Sequence, residues 1–337
     1  MAPGVPPDSS RKEAIVSVAQ AVSSSRTSGS VQFLWLELTN LCNLQCVHCY
    51  AGSSPFSASD DLLSPRDYDN VLVTAAQLGC KQVQFIGGEP TLNRHLPDFI
   101  ARARSLDYEF VEVFTNLTRL SSELLNCFVE HTVHIATSVY SHRPEVHDEI
   151  TKQVGSFHRT MRHIDTVLSA RLPLRAGIIC MPVNEDHVQD TIAFLRGKGV
   201  EDIGTDRVRE FGRASTQGDG ASLQNLCGKC AGATLCVAPN GGVSPCIMSK
   251  AWSVGSILQT PLAEVVESSR LRHLRQRIYQ HAVAPRAPSR AQCDPSCGPA
   301  CYPSCQPACA PSCAPSCVPS CAPSCFPSCV PACAPSR

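Results

Sequence analysis

The sequence predicts an α/β fold in which a parallel sheet with helical crossovers is followed by a small cysteine-rich module and a low-complexity tail. Three observations carry that prediction. Between residue 31 and about residue 210, short apolar β-rich runs alternate with longer helical patterns some six times, the order that lays helices across parallel strands. Four cysteines then fall between residues 227 and 246. Eleven more open consecutive Cys-x-Pro-x tetrapeptides from Cys293 to Ser336.

The strand runs are Val31–Leu38, Gln82–Gly87, Phe110–Phe114, Val133–Tyr140, Leu174–Met181 and Asp202–Val208. Helical patterns lie between them at Pro65–Leu78, Leu96–Ser105, Ser122–Val129, Ser156–Arg171 and Glu185–Lys198. The first has Ser64 as N-cap and Pro65 at the first helical position, where proline's missing N–H is no loss. Six such units can curl into a partial barrel or stay flat, and periodicity does not choose. Residues 211–222 read as a linker, 226–258 as the cysteine module, and Leu262–Tyr279 as one helix. The expected organisation is a mobile leader (1–30), a core (31–215), the module (216–282) and the tail (283–337). Proline at every fourth tail residue removes a backbone donor and clashes with the preceding turn, so no α-helix forms there. With almost no large apolar residues, the tail cannot pack a core of its own.

Composition excludes several classes. Lysine plus arginine equals aspartate plus glutamate at 29 each, so neither nucleic acid nor an acidic membrane surface is expected as a bulk partner. No run of 18 apolar residues is present, and none is therefore expected to span a membrane. The leader lacks the hydrophobic stretch of a secretory signal. A cytoplasmic location is expected, where the 21 cysteines stay reduced and bind metal or do chemistry more often than they pair.

Cys42-x3-Cys46-x2-Cys49 follows the first strand run. Three thiolates within eight residues can hold three irons of a [4Fe-4S] cube and leave the fourth iron for an external ligand. A zinc knuckle completed by His48 is the alternative on spacing alone. The position favours the cluster, because α/β folds place their active sites at the C-terminal ends of strands.

The segment Leu41–Tyr50, reading Leu-Cys-Asn-Leu-Gln-Cys-Val-His-Cys-Tyr, resembles the cluster loop of the radical S-adenosylmethionine (SAM) superfamily. By that resemblance His48 lies near the adenine. Gly87-Gly88-Glu89-Pro90, at the end of the second strand run, is similar to the family's Gly-Gly-Glu-Pro motif. There the glycines allow close backbone approach to a ligand, and the Glu89 carboxylate receives the ammonium of the methionine moiety. Thr115-Asn116 resembles the Thr-Asn-Gly that meets the ribose, with Leu117 in place of glycine. Ser138 stands where the family has a ribose or carboxylate contact, and Arg175 is a weaker candidate for the SAM carboxylate. The resemblance implies a partial (β/α)6 barrel. Strand alternation then turns His134, Ala136 and Tyr140 inward with Ser138, and Gly177, Ile179 and Met181 inward with Arg175. Cys180 faces the helices as a core thiol, as do Cys80 and Cys127 in their own elements. Tyr140 is the substrate-side candidate, although a barrel-lining aromatic is as common.

Cys227-x2-Cys230-x5-Cys236-x9-Cys246 suits one closed [4Fe-4S] site or a zinc ribbon. This region resembles the SPASM or twitch extension of radical SAM enzymes. Cys230-x10-Gly241-x4-Cys246 fits that extension's opening pattern, Val254–Ile257 resembles its Gly-Asn-Ile segment, and Gly212-Arg213-Ala214 its upstream Gly-Arg-Ala. The usual downstream cysteine set is replaced by the tail repeats. One auxiliary [4Fe-4S] cluster is expected, with Cys293, Cys297 and Cys301 as candidate ligands for it or for a second.

The resemblance implies reductive cleavage of SAM to a 5′-deoxyadenosyl radical that abstracts a substrate hydrogen, with flavodoxin or ferredoxin as electron donor. Maturation of a ribosomally made peptide is the expected role. A small sugar-like or nucleoside intermediate is the alternative substrate. A non-catalytic cysteine-rich metal-binding protein is the rival of a different class, and Gly87–Pro90 with Thr115-Asn116 count against it.

Overall fold

The computed structural model describes residues 30–215 and 221–283. Residues 1–29 of the leader, part of the expected linker and the repeats with Cys293, Cys297 and Cys301 lie outside the described residues. Residues up to Tyr279 belong to one compact unit and Gln280–Arg337 to another; the fold below is that of the first.

Its sheet has nine strands. Six come from the expected runs, at β1 (Phe33–Glu37), β2 (Gln82–Ile86), β3 (Phe110–Phe114), β4 (His134–Ser138), β5 (Leu174–Cys180) and β6 (Asp202–Arg207). Each pairs in parallel with the next. On the other side of β1 the parallel series continues into β7 (Thr234–Val237), which leads to antiparallel β8 (Gly242–Ser244) and β9 (Gly255–Ser256). The strand order is β6-β5-β4-β3-β2-β1-β7-β8-β9. Among the described residues β6 and β9 are the edge strands and do not pair with each other, so the sheet is an open, partial barrel rather than a closed one. The sheet takes strands from both the expected core and the expected module, because the short apolar run Thr234–Val237 pairs with β1.

The helices are α1 (Pro65–Gln77), α2 (Leu96–Ser105), α3 (Ser122–Glu130), α4 (Pro144–Thr151), α5 (Ser156–Ser169), α6 (Val188–Gly197), α7 (Leu262–Glu267) and α8 (Ser269–Ile278). Ser64 caps α1 as expected: its Oγ accepts from Asp67 N at 3.3 Å while Asp67 Oδ2 accepts from Ser64 N at 2.8 Å, a capping box. Three details differ from the sequence reading. The expected helix at 262–279 is broken, since Ser268 is extended (φ −62°, ψ 147°) and its Oγ caps α8 at Leu271 N. Residues 185–187 form a 3₁₀ turn ahead of α6. The sequence reading also passed over α4, although Pro144 at its first position and Val146 with Ile150 at helical spacing mark it.

Alternation sorts the two faces of the sheet. Leu34, Leu36, Val83, Phe85, Val113 and Ile178 are fully buried towards the helices. The opposite face carries Trp35, Gln84, Glu112, His134 and Arg175, a polar lining that a purely structural core would not use. Among the described residues no helix is long and apolar enough to cross a membrane.

Candidate functional site

The loop after β1 is held on every side before its thiols are considered. Asn40 N donates to Asp61 Oδ1 at 2.8 Å, Leu41 N to Thr39 Oγ1 at 2.9 Å, and Cys42 N to Ser54 O at 3.0 Å. The end of α4 supports its middle, with Gln45 N on Thr151 O at 3.1 Å and Val47 N on Ile150 O at 2.9 Å. Gly212-Arg213 closes over the far end: Arg213 N donates to Cys49 O at 3.0 Å and Arg213 Nε to Cys46 O at 2.9 Å. A side chain at Gly212 (φ +56°) would meet Cys49 O and Tyr50 O at 2.4 Å, so only glycine fits there.

Within this loop Cys42 is buried and Cys46 and Cys49 are half-buried. Burial pushes the Cys42 and Cys46 thiols up to about 12, so the free thiols stay protonated and must lose protons when a metal binds. The surroundings suit that change. Leu44 N points at Cys42 Sγ at 3.4 Å, Asn116 Nδ2 at 3.9 Å, and the Arg213 guanidinium stands near Cys46. Donors and a cation around sulfur stabilise thiolate and cluster charge. His48 packs edge-on against Tyr140 with ring centroids 4.8 Å apart. Burial lowers its pKa to about 4, and its buried Nδ1 has no partner among the described residues, which leaves a neutral ring beside the loop.

The second motif is fastened to the first. Gly88 N donates to Thr39 O at 2.7 Å and Glu89 N to Leu41 O at 2.8 Å. A Cβ on Gly88 would sit 2.2 Å from Leu41 O, and one on Gly87 (φ +139°) 2.5 Å from Thr39 O. What these glycines approach is therefore the backbone leading into Cys42. Pro90 is buried and starts a 3₁₀ turn.

Glu89 joins motif to motif. Its Oε1 accepts from Thr115 Oγ1 at 2.6 Å, Thr91 Oγ1 at 2.8 Å and Thr91 N at 3.1 Å, and its Oε2 from Asn116 N at 2.8 Å. Burial pushes the carboxyl up while these donors pull it down, and the net direction is upward. Oε2, with one donor, keeps lone-pair capacity for an ammonium. Asn116 Nδ2 donates on to Asn43 Oδ1 at 2.9 Å, so one hydrogen-bonded chain links the ends of β2 and β3 to the cysteine loop. Leu117 adopts φ +53° and is fully buried: the conformation is the glycine-like one even though the residue is not glycine. Ser138 ends β4 opposite Gly177.

Two candidates are placed elsewhere. Arg175 lies near the start of β5, level with Ala136, and its guanidinium is taken by Glu112, with Nε–Oε1 at 2.7 Å and Nη2–Oε2 at 2.8 Å. Gln84 donates to the same carboxylate. The geometry gives Arg175 to a fork lower in the barrel, because strand alternation repeats the same face two residues below the strand end. Tyr140 is buried with Ile150 and Met181, and its hydroxyl points at Cys46 Sγ at 4.0 Å. The same hydroxyl is hydrogen-bonded to Ser138, so it joins the end of β4 to the cysteine loop. Ile179 and Met181 join that cluster, while Cys180 shares its strand face with buried Ala176 and Ile178.

In the second cysteine group Cys230, Cys236 and Cys246 are buried and Cys227 is exposed. Cys236 lies on β7 opposite Trp35 of β1 and Ser244 of β8. Cys246 begins a turn fixed by Ser249, whose Oγ accepts from Cys246 N at 2.9 Å. The thiols of Cys230 and Cys246 are hydrogen-bonded, and that bond draws the Cys246 pKa down. Gly241 (φ +82°) closes the β7–β8 hairpin, where a Cβ would strike Leu258 at 2.9 Å. The Arg275 guanidinium of α8 lies near Cys230 and donates to Thr234 O at 2.9 Å. Thiols are the donors that an iron–sulfur cluster takes, and Arg275 stands beside one of the four, Cys230.

The sequence reading quoted Arg213 as part of a motif without giving it a role, and passed over Asn43, whose side chain reaches both Asn116 and Thr118. Both are contacts between segments far apart in sequence, for which local pattern carries no signal.

The radical SAM superfamily model matches residues 36–195, and the SPASM iron–sulfur cluster-binding domain matches residues 227–305. A probable GTP 3′,8-cyclase of Methanocaldococcus jannaschii is 25% identical over 173 residues, covering 50% of this chain and 56% of the relative. The GTP 3′,8-cyclase of Heliobacterium modesticaldum is 28% identical over 167 residues, covering 48% and 50%. The chain thus spans about half the length of the curated relatives it matches. In fold it is similar to Streptococcus suis SuiB bound to its precursor peptide SuiA, with TM-score 0.60, 12% identity, and coverage of 73% of this chain and 66% of that one. It is also similar to anSMEcpe with bound AdoMet, with TM-score 0.57, 13% identity, and coverage of 72% and 82%. The chain carries a radical SAM domain over residues 36–195, the span that contains Cys42, Cys46 and Cys49, and an iron–sulfur cluster-binding SPASM domain over residues 227–305, the span that contains Cys227, Cys230, Cys236 and Cys246.

Proposed function

We propose that this protein cleaves SAM reductively and uses the resulting radical to modify a peptide. The observation that carries the reading is the hydrogen-bonded chain from Gly88 and Glu89 through Thr115 and Asn116 to Asn43 and Cys42. When bound, the cluster and SAM supply a 5′-deoxyadenosyl radical able to abstract hydrogen from an unactivated C–H bond. Cys42, Cys46 and Cys49 hold the cluster, and the free oxygen capacity of Glu89 receives the SAM ammonium. Thr115, Asn116 and Ser138 line the ribose side, and the neutral His48 ring lies against the adenine. Arg213 and Tyr140 keep the cysteine loop in place. Cys227, Cys230, Cys236 and Cys246 hold an auxiliary cluster. The electron donor is a flavodoxin- or ferredoxin-type protein, and the setting is cytoplasmic.

Peptide maturation is favoured by the likeness in fold to peptide-bound SuiB. The sequence likeness to GTP 3′,8-cyclases keeps a nucleotide as the second reading. Reconstituted, reduced protein is expected to release 5′-deoxyadenosine from SAM, to lose that activity in Cys46→Ala and to keep it in Cys180→Ala. Absence of deoxyadenosine would overturn the enzyme reading. GTP that stimulates its formation and is itself converted would replace the peptide with a nucleotide.

A further inference from the structure

Between the two cysteine groups stands an ion pair that none of the motifs includes. Lys250 Nζ lies 2.7 Å from Glu37 Oε2; the Glu37 side chain is fully buried and that of Lys250 is 31% exposed. Both residues are fixed by their neighbours. Glu37 is the last residue of β1, five positions before Cys42, and shares a face of β1 with Trp35, which is the register partner of Cys236. Lys250 follows Ser249, the residue that closes the Cys246 turn. Tyr50, next to Cys49, lies beneath the ammonium, with Lys250 Nζ 5.9 Å from its ring centroid. The Tyr50 hydroxyl is buried without a partner among the described residues. Glu37, Tyr50 and Lys250 therefore bridge the segments that carry Cys42, Cys49, Cys236 and Cys246.

A buried ion pair is weak evidence for stability, since desolvation offsets most of its attraction. Its charges nevertheless act strongly on anything beside them, because the local dielectric is low. Lys250 stands near both Cys236 and Cys49, and Glu37 near Cys236; burial pushes the Glu37 carboxyl up while the adjoining Lys250 ammonium pulls it down, and contact with Glu37 and Cys236 pushes the Lys250 ammonium up against its own burial. The other carboxylate near Glu37, Asp61, is held by Thr39 and Asn40. Reduction adds negative charge to an iron–sulfur cluster, so a nearby cation raises its potential and a nearby anion lowers it.

We propose that Glu37 and Lys250 act as positioning residues that set the reduction potential of the auxiliary cluster, their opposite charges holding it at an intermediate value. This rests on the reading of Cys227, Cys230, Cys236 and Cys246 as cluster ligands. Removing either charge alone exposes the other. Lys250→Met leaves the carboxylate and lowers the potential; Glu37→Gln leaves the ammonium and raises it. The double variant falls between them.

The test is an EPR-monitored redox titration of the anaerobically reconstituted full chain. A background with Cys42, Cys46 and Cys49 changed to alanine leaves only the auxiliary signal. The expected result is shifts of opposite sign for Lys250→Met and Glu37→Gln at unchanged iron content. Shifts of the same sign, or none, would overturn the proposal. If either variant loses iron, Lys250→Arg decides: it keeps the cation and is expected to keep the wild-type potential, and a drop there refutes the charge argument. Absence of any auxiliary signal from the unaltered background defeats the cluster reading instead, so the two failures are distinguishable.

Discussion

Gly88→Ala tests whether the Gly-Gly-Glu-Pro segment exists to seat the cysteine loop. The added methyl would lie 2.2 Å from Leu41 O, 2.6 Å from Leu41 C and 2.8 Å from Asn40 O. All three are backbone atoms, so no side chain can rotate away, and the loop must retreat by about 1 Å to reach ordinary contact. That retreat strains two short hydrogen bonds, Gly88 N–Thr39 O at 2.7 Å and Glu89 N–Leu41 O at 2.8 Å. Overpacking costs about 1–3 kcal/mol and each hydrogen bond about 1 kcal/mol, giving about 3–5 kcal/mol on the residues just before Cys42. A domain with about 5–15 kcal/mol of stability remains folded, but the displaced loop is favoured by roughly a hundredfold or more. Iron bound per chain and deoxyadenosine formation should therefore both fall sharply, while the far-ultraviolet circular dichroism keeps its shape. Gly197→Ala is the control, since a Cβ there meets nothing within 4 Å. A Gly88→Ala protein with wild-type iron and wild-type SAM cleavage would refute the reasoning.

Leu117→Gly should destabilise the fold even though it relieves a left-handed backbone. Burial of the side chain outweighs the roughly 1–2 kcal/mol of strain, because losing a buried leucine costs about 2–5 kcal/mol; a rise in the urea midpoint would contradict this. Asp148 takes the place of a cap at the start of α5, accepting from Ser156 Oγ at 2.8 Å and Phe157 N at 2.9 Å. Burial pushes its carboxyl up, but the Phe157, Ser156 and Gly155 donors outweigh it and hold the pKa below the ordinary value. Its contribution is present above the unfolded-state pKa and is lost as pH falls through the lower folded one. Asp148→Asn should cost about 1 kcal/mol at neutral pH, and the difference from wild type in denaturant midpoint should shrink only below about pH 4. Shrinkage already between about pH 7 and pH 5 contradicts the depressed value. Because the SPASM match runs to residue 305, a chain stopped after Cys305 should retain the full iron content, and one stopped after Arg286 should lose part of it. Equal iron in both would remove the early repeats from cluster binding.

Elements with a local signature were legible from sequence. The Ser64-Pro65 start of α1, the six parallel strands and the strand-end placement of Gly87–Pro90 and Thr115-Asn116 need only period, caps and motif order. Other features depend on residues distant in the chain. Nothing near Thr234–Val237 says that this four-residue run will pair with β1, nor that Val47 will rest on the end of α4. The depth of Arg175 is hidden in the sequence for a related reason. A strand presents the same face every second residue, so alternation gives the face but not the depth, and only the pairing with Ala136 and the fork to Glu112 set it lower in the barrel. Leu117 shows the converse. A motif comparison marks it as a departure from glycine, yet the backbone keeps φ +53°, because Thr160 Oγ1 holds Asn116 O at 2.9 Å and His163 Nδ1 holds Leu117 O at 2.6 Å.

The position of β1 explains how one sheet serves both cysteine groups. It is the core strand that pairs with β2 on one side and with the module strand β7 on the other. Its C-terminal end leads into Cys42 within five residues of Glu37, and its register sets Cys236 beside Trp35. A shift of β7 by one residue would turn Cys236 to the helical face and carry it away from Glu37 and Lys250. Substitutions in the β1–β7 pairing, such as Leu235→Ala at a fully buried position, should therefore reduce auxiliary iron before they reduce SAM cleavage. The first cysteine group is secured separately, by Thr39–Leu41 against Gly87–Glu89 and by Arg213.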